Sequence, residues 1–206
     1  MLLAVAVWAL TTWQVAAHGS LRTLDERVER AVVGTGPVRL AEFLADLGNM
    51  TVALPVLAAA AAWSAWRRRR AEALAAVLAM ALVPALVAPL KALIGRPGPL
   101  TEEIGYYPSG HAATAMVAYG AAALLLSGTT RNRAMALTSG VVAAFVTLGA
   151  GAGLVLRGYH WPLDVLGSWC LGAILLIGAR ATARAWTARA GRRPGPRAHE
   201  PPVDGH

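Results

Sequence analysis

Six long runs of apolar residues, divided by short polar segments, dominate this sequence. The runs cover residues 2–17, 50–66, 71–93, 111–127, 135–156 and 162–183. Each run is close to the roughly 20 residues that an α-helix needs to cross about 30 Å of hydrocarbon. The chain as a whole is 56% hydrophobic and 15% charged, which is too apolar for an ordinary soluble domain. The sequence therefore predicts an all-α protein, a polytopic membrane bundle of six transmembrane helices.

The first run, residues 2–17, has a second interpretation as a cleaved secretory signal. The letters "QVAAHG" loosely resemble a small-residue cleavage site, but no Lys or Arg precedes the apolar stretch as a signal would require. A start codon placed too late would also explain the missing basic residues. We favour a retained first span, with the signal as the alternative.

The arginines predict which helix ends face the cytoplasm, because short cytoplasmic loops carry an excess of Lys and Arg. They cluster in "WRRRRAE" between the second and third runs, in "TTRNRA" between the fourth and fifth, and in the tail from 180 to 197. All three clusters belong to one side, so both termini are predicted to be cytoplasmic. The net charge of +8 is dispersed among these segments, which favours anionic lipid headgroups over nucleic acid as a partner.

Two segments outside the runs have patterns of their own. In the first outer loop, apolar residues recur at helical spacing on either side of "GTGP", at positions 24, 28 and 32 and then 40, 43, 44 and 47. This pattern predicts two short amphipathic helices on the membrane surface, forming a rim over the outward face. The Pro-rich, polar end predicts a disordered cytoplasmic tail over residues 188–206, after a membrane domain of residues 1–187.

Polar residues gather where the runs meet the outer face, and ionisable groups there are functional candidates because they are costly near a membrane. "PLKALIGRPGP" ends the third run with Lys91 and Arg96, "YYPSGH" opens the fourth, and "LRGYHWPLD" joins the fifth to the sixth. The only carboxylates set against the two cations are Glu102 and Glu103 in the loop. The sequence therefore predicts a net cationic corner at the end of the third run.

The segment "PSGH" combines the features of an oxyanion site at a helix start. Ser109 is a good N-cap residue, and Gly110 lets the backbone approach a bound group. A helix N-terminus presents unpaired N–H groups and the positive end of the helix dipole, which together suit a phosphate. His111, in the first turn, carries an imidazole that can protonate a leaving oxygen. The plain alternative is a capped helix with no ligand.

His160, Asp164 and Arg157 have the spacing of neighbours on one helix face. A carboxylate four residues after His160 can hold the imidazole in one tautomer and leave the other ring nitrogen free as a nucleophile. Arg157, three residues earlier, would place a guanidinium beside that nucleophile. Each of these residues alone would serve as an anchor at the headgroup level, but together they favour a reactive site.

The three motifs and their order resemble the type 2 phosphatidic acid phosphatase family, which shares an active-site plan with vanadium haloperoxidases. The family pattern is K-x6-R-P, then P-S-G-H, then S-R-x5-H-x3-D. In this chain "PSGH" is intact and the H-x3-D of the third motif is kept. The two family arginines fall on Gly98 and Leu154, and the serine before the second falls on Gly153. Arg96 and Arg157 lie nearby, displaced from the family positions.

The resemblance implies hydrolysis of a phosphomonoester or diphosphate at the outer membrane surface, without a metal or cofactor. It implies that His160 attacks phosphorus to give a phosphohistidine, with Asp164 fixing its tautomer. His111 would protonate the departing oxygen and then activate water. The groups implied to bind the phosphate belong to Lys91, Arg96, Ser109, Gly110 and Arg157. No HExxH or CxxC spacing of metal ligands occurs in the sequence.

The membrane setting of this site indicates a lipid phosphate as substrate and partner. The candidates are a polyprenyl diphosphate or other prenyl phosphate, phosphatidic acid, and phosphatidylglycerol phosphate. The Ala-, Arg- and Gly-rich composition is typical of a bacterial chain with GC-rich coding, which favours the envelope carrier lipid and a plasma membrane location with the site facing outward.

Two other classes of function stay open at this point. One is a degenerate family member that binds lipid phosphate or scaffolds a partner without turnover, because both family arginines are displaced. The other is a small transporter, suggested by the six spans and by Pro55, Pro84 and Pro89 within them. The ionisable residues cluster at one face instead of at mid-membrane, which disfavours transport.

Overall fold

The computed structural model describes residues 1–191, and every regular element within that range is an α-helix. The helices are α1 (Leu2–Ala16), α2 (Ser20–Val32), α3 (Val38–Asp46), α4 (Met50–Trp66), α5 (Arg70–Ile94), α6 (Gly110–Thr129), α7 (Arg133–Leu156) and α8 (Pro162–Gly191). The all-α prediction is therefore confirmed, and the long helices follow the order of the apolar runs.

Four helices, α5 to α8, are each long and apolar enough to cross a membrane. Helices α1 and α4 reach the required length only together with α2 and α3, to which they are joined at bends of 84° and 46°. The structure thus has four to six candidate spans, which fits the predicted membrane bundle. Helix α8 continues past its predicted end at residue 183, because the Ala- and Arg-rich residues that follow are strong helix formers. Most of the predicted tail, residues 192–206, lies outside the described residues.

The two predicted surface helices are present as α2 and α3, but α2 turns its acidic side to the protein. Asp25 and Glu29 are its buried residues, whereas Leu24 and Val28 are exposed. The apolar side of α2 therefore points away from the bundle, where a membrane surface would cover it. Burial of the acidic side brings Asp25 to the end of α5 and the start of α8.

Helix α6 lies at the centre of the bundle, where it contacts α4, α5, α7 and α8. Its buried residues are mostly small, and alanine is the most frequent among them. Small side chains let helix backbones approach closely, which is a common basis for tight packing between membrane helices. Large apolar side chains on α5 and α7, such as Leu78 and Phe145, are exposed on the outer surface and would contact lipid.

The helices alternate in direction, so that α5 and α7 end where α6 and α8 begin. The segment between α5 and α6 folds back at this end of the bundle. Gly95 terminates α5 in the left-handed conformation, with φ of 57°, and the N–H groups of Gly105 and Tyr106 both donate to the carbonyl of Arg96. Met1 and Gly191 lie at the opposite end, together with the arginine-rich turn that precedes α5.

Gly153 marks a close approach of α3 to α7 and allows a test of this packing. A Cβ at this position would lie 2.6 Å from the carbonyl oxygen of Ala41 and closer still to the backbone nitrogen of Ala45. Because backbone atoms do not move aside as a flexible side chain does, we expect Gly153→Ala to lower the free energy of unfolding by about 1–3 kcal/mol. Thermal unfolding of the purified protein in detergent would measure this loss.

Gly140 provides the matched control on the same helix. Nothing lies within 4 Å of a Cβ built at Gly140, so alanine there should leave the melting temperature unchanged or raise it slightly. Equal melting temperatures for Gly153→Ala and Gly140→Ala would contradict the close approach of α3.

Candidate active site

The His160 and Asp164 side chains meet at the start of α8, as their spacing predicts. The Nδ1 atom of His160 lies 3.3 Å from Oδ2 of Asp164, and the carboxylate is fully buried. His160 precedes the helix, however, because α8 begins at Pro162, a residue well suited to the first helical position. Asp164 reaches back within the first turn and also accepts a hydrogen bond from the backbone N–H of Trp161, at 3.2 Å. The pair is therefore held by the turn that caps α8.

Arg96 lies between two carboxylates and is itself buried, at 1% exposure. Its Nη1 donates to Oδ1 of Asp164 and its Nη2 donates to Oδ2 of Asp25, both at 2.6 Å. The other oxygen of Asp25 accepts the backbone N–H of Leu163 at 2.7 Å, in the first turn of α8. The guanidinium also stacks over the Trp161 ring, 4.9 Å from its centroid. We call Asp25, Arg96 and Asp164 the buried bridge.

The buried bridge changes the predicted charge of this corner. Glu102 and Glu103, the carboxylates expected to offset the cations, are both exposed. Asp25, which the sequence placed on a surface helix, is the residue that shares the charge of Arg96 with Asp164. The prediction of a net cationic corner is therefore wrong, because α2 delivers a carboxylate from far along the chain. The acidic stripe of α2 was the one sequence signal that could have indicated this.

The remaining predicted site residues on α5 and α6 surround the start of α6. Lys91 is half-buried, and its Nζ donates to the carbonyl of Gly105 at 2.7 Å.

Ser109 is the N-cap of α6, as predicted. Its hydroxyl accepts the N–H of Ala112 at 3.2 Å, and its own N–H donates to the carbonyl of Asp164. Nothing lies within 4 Å of a Cβ built at Gly110, so there is free space beside this residue. His111 follows with an exposed side chain.

Arg157 lies at the rim and is engaged elsewhere. Its Nε donates to Oε2 of Glu42 at 2.6 Å, and the hydroxyl of Tyr159 donates to the same carboxylate. The hydrogen bond to Glu42 raises the pKa of the Arg157 guanidinium above its ordinary value. In the structure this residue therefore ties the end of α7 to α3.

A cavity of about 350 Å³ opens beside the histidines. Its lining residues are Ala45, Asp46, Leu100, Thr101, Tyr106, His111, Leu154, Gly158, Tyr159 and His160. His111 and His160 thus face one space, and the Tyr106 ring packs against the His160 ring with centroids 5.5 Å apart. Since Nδ1 of His160 is turned to Asp164, Nε2 is the free ring nitrogen. Among the described residues that line this cavity there is no arginine or lysine.

Of the two positions at which the family resemblance predicts an arginine, Gly98 is closed by a neighbouring ring, whereas Leu154 places an apolar side chain at the cavity. A Cβ at Gly98 would lie 2.5 Å from Cζ of Tyr106, so the tyrosine ring occupies the space that a longer side chain would need. Leu154 is buried in a small apolar cluster and forms part of the cavity wall. Gly153, in the place of the family serine, lies against the backbone of α3. Sequence reasoning identified the gaps but not Tyr106, whose only signal was its place next to "PSGH".

Within residues 1–191, no group of three or more His, Cys, Asp or Glu side chains is placed to hold a metal ion. The groups at this end that can take part in chemistry are two imidazoles, a buried carboxylate and the N-terminus of α6. A histidine held by a carboxylate beside a second histidine is an arrangement for nucleophilic and acid–base catalysis. The fold and this site define a multi-pass membrane protein with a candidate histidine-based active site at one end of its bundle.

The chain belongs to the PAP2 superfamily, which it matches over residues 72–188. Its fold is similar to the crystal structure of a transmembrane PAP2-type phosphatidylglycerolphosphate phosphatase from Bacillus subtilis, with a TM-score of 0.77. That similarity covers 90% of this chain and 98% of the other, at 22% sequence identity, and so shows a shared fold. No curated protein matches the chain significantly.

Proposed function

We propose that this protein is a lipid phosphate phosphatase that acts through a phosphohistidine on His160. The observation that carries the proposal is the His160–Asp164 pair, which leaves Nε2 free beside a cavity that His111 also lines. Membership of the PAP2 superfamily and the fold shared with a PAP2-type phosphatase support it. Neither of the two proposed steps requires a metal ion.

In the first step, the Nε2 lone pair of His160 attacks phosphorus, an N–P bond forms, and the bond from phosphorus to the leaving oxygen breaks. His111, protonated at the outset, gives its proton to that oxygen. In the second step a water molecule attacks phosphorus, His111 accepts the proton, and the N–P bond breaks to release phosphate. Asp164 holds the Nδ1 proton of His160 throughout and stabilises the positive charge that the ring acquires.

The start of α6 is the proposed cradle for the phosphate, because the first-turn N–H groups of Gly110 and His111 have no partner within the helix. Lys91 is a proposed phosphate-binding cation and would exchange its bond with the Gly105 carbonyl for a phosphate oxygen. Arg157 would join from the rim only by leaving Glu42. For Arg96 we replace the predicted phosphate contact by a positioning role, since both ends of its guanidinium are engaged by carboxylates.

The proposed substrate is a lipid phosphate whose headgroup enters the cavity while its chains remain among the helix ends. Phosphatidylglycerol phosphate, phosphatidic acid and a polyprenyl diphosphate all have the required headgroup. We propose that the site faces outward from a bacterial plasma membrane, because the arginine-rich turns lie at the opposite end of the bundle.

Phosphate release from a panel of these lipids, by the purified full chain in detergent with EDTA, tests the proposal. We expect release from at least one lipid phosphate at a rate that EDTA leaves unchanged. A soluble phosphomonoester without chains should be a poorer substrate. Activity that EDTA abolishes and Zn²⁺ or Mg²⁺ restores would contradict the metal-independent mechanism.

A second candidate function rests on the absence of a guanidinium among the described residues of the cavity wall. Preorganised cationic donors commonly contribute about 3 kcal/mol each to transition-state stabilisation, so their loss favours a member that binds lipid phosphate without turnover. Binding of a lipid phosphate in the same detergent, with no release of phosphate from any lipid over many hours, would support this alternative over hydrolysis.

A further inference from the structure

A second and larger cavity lies at the opposite end of the bundle, far from the histidines. Its volume is about 760 Å³, within the range of sites that hold small molecules. Three helices line it: α5 with residues between Glu72 and Ala76, α6 with residues between Ala121 and Gly128, and α8 with residues between Leu176 and Ala188. Because α5 begins and α8 ends here, this cavity lies at the level of the other membrane surface.

The interior of this cavity is apolar because the three helices meet through small side chains. Ala75, Ala76, Ala121 and Ala183 are all buried and line it, with Leu125 and Leu176 beside them. These side chains give the cavity an apolar wall, against which apolar chains can pack. Such a cavity in a membrane is open to lipid tails.

The mouth of the cavity is cationic. Arg180 and Arg184 are one turn apart on α8, so they project from the same face, and both are exposed. Within residues 1–191 neither forms an ion pair with a carboxylate. Arg69 lines the same mouth and is paired with Glu72 at 2.9 Å, so the four side chains together carry a net positive charge.

We propose that this cavity is a binding site for an anionic phospholipid of the leaflet opposite the active site. The headgroup phosphate would lie between Arg180 and Arg184, with Arg69 nearby, and one acyl chain would enter the alanine-lined interior. Charge complementarity at the depth of the headgroups, together with the apolar interior, favours this occupant. A second protein chain fits less well, because the arginines would then be buried without a partner.

Native mass spectrometry of the purified full chain, titrated with dioleoylphosphatidylglycerol or dioleoylphosphatidylcholine in mild detergent, tests the site. We expect one phosphatidylglycerol bound per chain in preference to phosphatidylcholine. The double variant Arg180→Ala/Arg184→Ala should bind phosphatidylglycerol about thirtyfold more weakly, as expected from two arginines at a membrane surface. The matched control Arg131→Ala/Arg133→Ala removes the same charge at the same end, outside the cavity, and should change binding less than about threefold.

A third variant separates the cavity from its cationic mouth. Ala179→Leu places a larger side chain in the cavity wall and keeps all the arginines. It should therefore also weaken phosphatidylglycerol binding, because the leucine would exclude the acyl chain. The proposal would be overturned if Ala179→Leu bound phosphatidylglycerol as well as the wild type does. It would also be overturned if both double variants lost the same amount of phosphatidylglycerol binding, or if the wild type bound the two lipids equally. A stable dimer that excludes lipid would overturn it as well. All variants should retain the phosphatase activity of the wild type, since none is near the histidines.

Discussion

Replacing His160 with alanine should lower phosphate release by about ten-thousandfold or more, because the nucleophile is removed. The same variant should fail to form an acid-labile phosphoenzyme when incubated with radiolabelled lipid phosphate and quenched in base. Steady-state release and phosphoenzyme trapping measure the two effects separately. Both are expected to be lost, since Nε2 of His160 is the ring nitrogen left free by the contact with Asp164.

The control for this experiment is His18→Asn, at an exposed turn between α1 and α2 where φ is 54°, a conformation that asparagine tolerates well. It should retain wild-type activity.

His111→Ala should slow phosphate release and still permit some trapping of the phosphoenzyme, because the proposed role of His111 is proton transfer. A His160→Ala protein that forms phosphoenzyme at the normal level would mean that another residue is the nucleophile.

The second large effect is expected on stability. Changing Arg96 to methionine leaves Asp25 and Asp164 buried and without their shared partner. Removing one member of a buried ion pair commonly costs about 3–5 kcal/mol, so the melting temperature in detergent should fall by roughly 10 °C. Phosphate release should fall as well, because Asp164 would lose the contact that fixes its carboxylate toward His160.

Arg157→Met is the matched control, with the same change of side chain at a partly exposed ion pair. It should melt close to the wild type, because exposed pairs contribute little to stability. Restoring charge balance in Asp25→Asn/Arg96→Met should recover part of the lost stability, although two buried polar groups remain imperfectly paired. A single Arg96→Met protein as stable as the wild type would show that the buried bridge does not hold this end of the bundle.

Much of the fold was predictable from hydrophobicity alone. The apolar runs predicted the positions of α1 and of α4 to α8 to within a few residues, apart from the end of α8, because the length and polarity of a span are local properties. The bends were not predictable. Whether α1 continues into α2 at 84° or α3 into α4 at 46° depends on contacts with other helices, which no local pattern encodes. The same limit hid the burial of Glu29, which lies on a helix predicted to rest on the membrane surface.

The site shows a similar division. Sequence spacing indicated that His160 and Asp164 would meet, and they do. The partners of Arg96 and Arg157 could not be predicted, because Asp25 and Glu42 lie 71 and 115 residues away along the chain. The sequence shows the charge of a displaced arginine, but only the fold determines which carboxylate lies within hydrogen-bond distance of it.

The contact between Gly98 and Tyr106 limits which side chains these two positions can hold together. Because the tyrosine ring already fills the space beside Gly98, introducing arginine there alone would force an overpacked and destabilised intermediate. Tyr106 would have to become smaller first, and that change would remove the ring that packs on His160. The two positions are therefore coupled: an arginine at position 98 fits only together with a smaller side chain at position 106, at the cost of the ring that packs on His160.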